Sequence, residues 1–226
     1  ASGGLDGTIP ADVARTASFL HYQDRDVYRR GICFLDSHKD KLADFDENVC
    51  LRLDPARRNI LIVGDSHAAH LWIGLSQEFP DINFLQANAS GCKPLLKPKG
   101  ALTCVRLMEH ILGERLKDTK LDGVIISARW DDDDISAIVA TSDKVAKLVP
   151  RLYVAGPIVE YEQSLPRLLA RSQMSNEPAL VVQAVRPGRS SLDSNLRAAL
   201  KDTSALYLSS YEAMCPLKQE CITRAG

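Results

Sequence analysis

No apolar run in this 226-residue sequence approaches the ~20 residues that a helix needs to cross a bilayer, and no signal-peptide pattern is visible. An excess of one charge sign is missing too. The 28 Lys and Arg are scattered among 29 Asp and Glu, for a net charge of -1, which leaves no electrostatic case for a nucleic-acid partner. There is no Cys-x-x-Cys pair and no histidine at zinc-finger spacing from a cysteine, so no metal is expected. What is present, at 45% hydrophobic residues, can bury one full α/β core. The expectation is a soluble domain cut from a longer protein. Residues 1–7 (Ala-Ser-Gly-Gly-Leu-Asp-Gly) read as mobile linker, 8–58 as an N-terminal extension packed on the core, and 59–226 as the α/β domain.

Six cysteines, an even count, fall into three local couples: Cys33 with Cys50, Cys92 with Cys104, and Cys215 with Cys221. Connectivity is not deducible from sequence, and buried reduced thiols are the alternative. Disulfides in an oxidising compartment, paired in sequence order, are expected because each couple closes a short loop.

Asn59 to Leu75 organises the rest. Ile60-Leu61-Ile62-Val63 reads as a strand buried on both faces, Gly64 as a sharp turn, and Leu71, Trp72 and Leu75 as one face of a helix that Asp65 or Ser66 can cap. A serine in such a turn projects its hydroxyl beyond the carboxyl end of a strand, beside a helix N-terminus that favours negative charge. Ser66 is therefore the nucleophile candidate, with Asp65 in support. The tripeptide recurs at Asp36-Ser37-His38, where Lys39, Asp40 and Lys41 follow and no long apolar strand precedes, so that copy reads as a surface turn.

Further apolar runs at Ile82–Ala87, Leu121–Ala128, Arg151–Ala155 and Ala205–Ser209 alternate with helical patterns, predicting a parallel sheet with helices on both faces. Turn residues close several of these runs. Gly91, after the second, can bring its N–H close to a ligand and is a candidate oxyanion donor. Arg129 and Trp130, after the third, can donate to an oxyanion or stack on a sugar. Asp131 to Asp134 read as the first turn of the next helix.

Val63-Gly64-Asp65-Ser66-His67 and Ala89-Ser90-Gly91-Cys92 resemble the SGNH hydrolase superfamily. Together with Ile126-Ser127-Ala128-Arg129-Trp130, Gly156-Pro157-Ile158 and the late Cys215/Cys221 couple, they are most similar to the periplasmic SGNH domain fused behind membrane acyltransferase-3 domains in bacterial polysaccharide O-acetyltransferases. The resemblance implies a flavodoxin-like strand order, Ser66 as nucleophile, and the Ser66 and Gly91 amides as oxyanion donors. It implies O-acetyl transfer to a surface polysaccharide such as O-antigen, in a periplasmic domain anchored through a membrane domain absent from this chain. That partner would supply the acetyl group, so no cofactor is expected. A carbohydrate O-acetylesterase and an inactive carbohydrate-binding or docking domain are the alternatives.

Two family features are missing. The Gly-x-Asn-Asp block, whose asparagine donates to the oxyanion, is replaced by Ser127-Ala128-Arg129-Trp130, with Arg129 as the substitute donor. The C-terminal Asp-x-x-His does not occur, since His21, His38, His67, His70 and His110 all lie upstream of its place. The sequence is expected to stop just short of that segment. His67 directly follows the serine and is expected to point away, which leaves His70, four residues on, as the internal base candidate.

Overall fold

The computed structural model describes residues 9–216 and 221–224, so the linker expected at residues 1–7 lies outside the described residues. Among the described residues six parallel strands form one sheet: β1 (Phe34–Leu35), β2 (Arg58–Gly64), β3 (Ile82–Ala89), β4 (Gly123–Ser127), β5 (Leu152–Ala155) and β6 (Leu206–Leu208), in the order β1-β3-β2-β4-β5-β6. From β2 onward this is the flavodoxin-like order, with β1 added at one edge. The N-terminal segment thus contributes a strand to the sheet in addition to packing on it. Phe34 and Leu35 pair with Asn88 and Ala89.

The helices are α1 (Ala11–Ser18), α2 (Arg25–Tyr28), α3 (Glu47–Cys50), α4 (Ser66–Glu78) and α5 (Leu102–Met108). Then follow α6 (Leu116–Asp118), α7 (Ile135–Val145), α8 (Leu165–Ser175), α9 (Ala179–Gln183), α10 (Arg189–Leu200) and α11 (Ser210–Met214). A π-helical stretch, Glu109–Arg115, joins α5 to α6.

Alternate strand residues serve opposite faces. Leu61 and Val63 of β2 join Leu107 and Ile111, Ile138 of α7 and Leu196 of α10 in the larger core. Ile60 and Ile62 face the other way, onto Leu71, Trp72 and Leu75 of α4. The acidic run forms a turn, Asp132–Asp134, leading into α7, as its position before an apolar helix implies.

All three cysteine couples are bridged in sequence order: Cys33–Cys50, Cys92–Cys104 and Cys215–Cys221. The first ties α3 beside β1, and the second ties the loop after β3 to α5. The repeat Asp36-Ser37-His38 is a turn with His38 and Lys39 exposed, as read, but Ser37 itself is buried at 5% exposure, its hydroxyl donating to the Ser90 carbonyl at 2.6 Å and its N–H to Ser90 Oγ at 2.9 Å.

Candidate active site

The site is built where β2 ends. Gly64 pairs with Asn88 of β3 on one side and Ser127 of β4 on the other. The chain runs from β2 to β3 on one side and only afterwards crosses to β4. The crevice at the carboxyl ends of β2 and β4 is therefore the switch point of the sheet, where open α/β folds hold ligands. Gly64 has φ +148°, and a Cβ there would lie 1.7 Å from the Ser127 carbonyl oxygen. No other residue allows the two strand ends to approach this closely.

Asp65 follows, at 3% exposure. Its Oδ1 accepts from the His67 N–H at 2.7 Å, capping α4, and its Oδ2 accepts from the Arg129 N–H at 2.9 Å. Burial pushes this carboxyl above the ordinary range, against the pull of those two N–H donors. One side chain thus fixes the turn after β2 to the turn after β4. Ser66 then opens the 13-residue α4, half-buried, at the helix end whose free amides favour negative charge. Among the described residues, no side chain hydrogen-bonds its hydroxyl.

His70 approaches a different atom of Ser66: its Nδ1 sits 3.1 Å from the Ser66 backbone oxygen. That contact is an ordinary bond down the helix, and it uses the ring nitrogen without engaging the hydroxyl. His67 is half-buried, and its Nδ1 has no partner among the described residues. Burial pushes the pKa of both imidazoles down, and the charge of His67 lowers that of His70 further, whereas His67 is lowered further by Arg129 and Arg189.

Gly91 lies in the turn after β3, exposed and at φ +63°, with open space where a Cβ would stand. Its loop is held from below: Ser90 N–H donates to the Leu35 carbonyl at 2.9 Å, Ser37 grips Ser90 as described, and Cys92 is bridged to Cys104.

Arg129 and Trp130 diverge. The Arg129 side chain is half-exposed and forms a two-pronged pair with Glu160, with Nε at 3.2 Å and Nη2 at 2.6 Å from the carboxylate oxygens. Trp130 corrects an expectation, being 0% exposed with its indole N–H donating to the Ala155 carbonyl at 2.8 Å. It is a core residue, with neither ring face nor N–H free for a sugar.

Sequence reading missed four residues here. Besides Ser37, they are Asn88, fully buried with its amide nitrogen 3.4 Å from the Gly64 carbonyl, Glu160, and Arg189. Arg189 opens α10, donating from Nη1 to the Trp130 carbonyl at 2.6 Å and lying 3.3 Å from Glu160 through Nε. Glu160 follows Gly156-Pro157 beyond β5, so the strand-end rule that selected Gly91 and Arg129 reaches it as well. Outside this group, Lys93 bridges Asp131 and Asp134 at 2.9 and 2.5 Å.

Among curated proteins, none matches the chain by sequence. The periplasmic domain of the lipopolysaccharide acetyltransferase of Salmonella ser. Paratyphi A matches in fold, with TM-score 0.73 and 23% identity over 96% of this chain and 86% of that one. A carbohydrate acetylesterase family member from Sinorhizobium meliloti matches at TM-score 0.42 and 14% identity, covering 67% of this chain and 82% of that one. An acetylxylan esterase from Geobacillus stearothermophilus matches at TM-score 0.41 and 13% identity, covering 69% and 77%. Residues 32–226 match the family described as SGNH domain (fused to AT3 domains), so this chain belongs to that family of SGNH domains.

Proposed function

We propose that the chain transfers an acyl group, acetyl in the first instance, through Ser66 to a hydroxyl of a bacterial surface polysaccharide. The observation that carries this reading is the placement of Ser66. Its hydroxyl opens α4 at the switch point of the sheet, unclaimed among the described residues, on a turn that Asp65 locks to the Arg129 backbone.

In the first step Ser66 Oγ attacks the acyl carbonyl and its proton leaves to a base. The tetrahedral oxyanion is held by the Ser66 and Gly91 amides with Arg129 at the rim, then collapses to the Ser66 ester as the donor alkoxide departs and takes up a proton. In the second step a sugar hydroxyl attacks that ester, gives up its proton, and releases Ser66. Water in place of the sugar makes the same site an esterase. Membership among SGNH domains fused to AT3 domains supports a membrane acyltransferase as the donor partner. Likeness to a lipopolysaccharide acetyltransferase periplasmic domain supports a polysaccharide acceptor and a periplasmic location.

The test is incubation with an acetyl ester donor, with and without oligosaccharide, read by mass spectrometry. Acetylated sugar supports transfer, and acetate alone supports hydrolysis. A Ser66→Ala chain with an unchanged rate removes Ser66 from the mechanism.

One observation favours a second reading, a carbohydrate-binding or docking domain without catalysis: His70 contacts the Ser66 carbonyl and not its hydroxyl. Oligosaccharide binding that survives Ser66→Ala, with no acetyl on Ser66 after donor treatment, would put that reading ahead.

A further inference from the structure

Arg129 follows the end of β4 with its side chain half-exposed, and its position is not left to solvent. Its Nε and Nη2 both bind the Glu160 carboxylate, which is itself only 12% exposed. Glu160 is gripped a second time by Arg189 Nε, and Arg189 is fixed in turn by donating to the Trp130 carbonyl, one residue from Arg129 along the chain. The Arg129 backbone is held separately by Asp65. Arg129 is thus clamped at its backbone by the residue before Ser66 and at its guanidinium by Glu160.

Two guanidiniums share the Glu160 carboxylate, Arg189 also lies 3.6 Å from Asp131 through Nη2, and the charges of all three triad members are felt at His67, the residue after Ser66. Burial alone would raise the Glu160 carboxyl, but the hydrogen bond from Arg129 and the charges of both arginines outweigh it, and Glu160 stays ionised. A planar fork held on two of its nitrogens can turn only its remaining N–H edge outward.

Resting on the serine reading above, we infer that Glu160, braced by Arg189, is a positioning residue that aims Arg129 at the oxyanion formed on Ser66. Glu160 does not touch the reacting atoms. Its effect passes wholly through Arg129, which gives the inference a signature that a merely structural residue lacks.

The test is the rate of Ser66 acylation by an activated acetyl ester, followed by mass spectrometry of the Ser66 peptide over a range of ester concentrations. The chains compared are wild type, Glu160→Gln, Arg129→Ala, the double variant and Ser66→Ala. Glu160→Gln is expected to lower the limiting rate about 10-fold with half-saturation unchanged, and Arg129→Ala to lower it by about 10²-fold. The double variant should be no slower than Arg129→Ala alone, because Glu160 has nothing left to aim. Glu160→Asp, which keeps the charge at a shorter reach, should recover part of the loss and guards against a Gln variant that misfolds. A Glu160→Gln chain that labels as fast as or faster than wild type overturns the inference, as does a double variant slower than Arg129→Ala. In either case labelling at Ser66 leaves the serine reading standing. A wild-type chain that labels no faster than Ser66→Ala overturns both.

Discussion

Asp-Ser-His occurs twice in this chain, at 36–38 and at 65–67, and the two copies have different fates. Locally they make the same turn: Asp36 Oδ1 accepts from His38 N–H at 3.1 Å, and Asp65 Oδ1 from His67 N–H at 2.7 Å. Both follow a parallel strand. The differences lie on either side of the tripeptide. Before it stands Gly64 in one copy and Leu35 in the other; after it comes the helix α4 in one and a short charged turn in the other. Glycine lets β2 close on β4 at the middle of the sheet, whereas β1 is a two-residue strand at its edge. The serines differ accordingly. Ser37 gives its hydroxyl to Ser90 and becomes a strut, while Ser66 stays unclaimed among the described residues. The tripeptide encodes a turn; its neighbours decide whether the serine hydroxyl is left open or tied to the next loop. The two are also linked through the sheet, because the strut at Ser37 supports the Ser90-Gly91 loop after β3, the strand paired with β2.

The sharpest way to break this contrast is to remove each hydroxyl in turn. Ser66→Ala is expected to lower acyl transfer by about 10³-fold or more while leaving the melting temperature nearly unchanged. Comparable losses from Ser66→Ala and Ser37→Ala would dissolve the distinction. The next largest effect belongs to the residues that precede the two copies. Gly64→Ala puts a methyl 1.7 Å from the Ser127 carbonyl at a φ that side chains rarely adopt, and should cost upward of about 3 kcal/mol in urea unfolding or prevent folding. Leu35→Ala, at a fully buried edge position, should cost about 2–4 kcal/mol through a cavity, with folding retained.

A smaller effect separates the histidines of the two copies by burial, His67 being half-buried and His38 exposed. Burial lowers the pKa of His67, as it does that of His70. In the unfolded chain these groups take up protons more readily, so the unfolded state binds more protons in this window and stability rises with pH. Their contribution is fully present above the ordinary histidine value of about 6.5 and is lost as the pH falls from there through the lowered native values. The urea midpoint should therefore drop between about pH 7.5 and about pH 5.5. His67→Gln with His70→Gln should flatten that slope, and an equally steep slope in the double variant would place the proton uptake elsewhere.

The sheet was legible because five of its strands are apolar runs closed by turn residues, and runs of that kind are local. β1 was not, since Phe34-Leu35 is too short to show a period and earns its place only by pairing with Asn88 and Ala89, far along the chain. Ser66, Asp65 and Gly91 could be selected from strand ends and turn chemistry alone. Trp130 shows where that rule stops. A strand end tells which residues lie near the crevice, but adjacent side chains on an extended backbone point opposite ways, and Arg129 took the outward position while Trp130 took the core. Glu160 lies beyond the end of β5, where the strand-end rule could have reached it, but Arg189 opens α10, away from any strand end, and no spacing in the sequence relates 129, 160 and 189.

The smallest predicted effect tests whether one copy of the tripeptide serves the other. Ser37→Ala removes the hydroxyl that donates to the Ser90 carbonyl but keeps the backbone N–H that donates to Ser90 Oγ, so one of two ties on the loop survives. The stability cost should be about 1 kcal/mol, the usual net value of one such bond. If Gly91 supplies an oxyanion donor, loosening its loop should also slow Ser66 acylation several-fold, since a misplaced donor loses most of its worth in the transition state. Gly91→Ala separates the two contributions: its Cβ meets open space, so only the strain of a side chain at φ +63° disturbs the loop. If both variants lose stability yet acylate at the wild-type rate, the Gly91 amide has no part in the oxyanion site, and Ser37 is a strut for the fold alone.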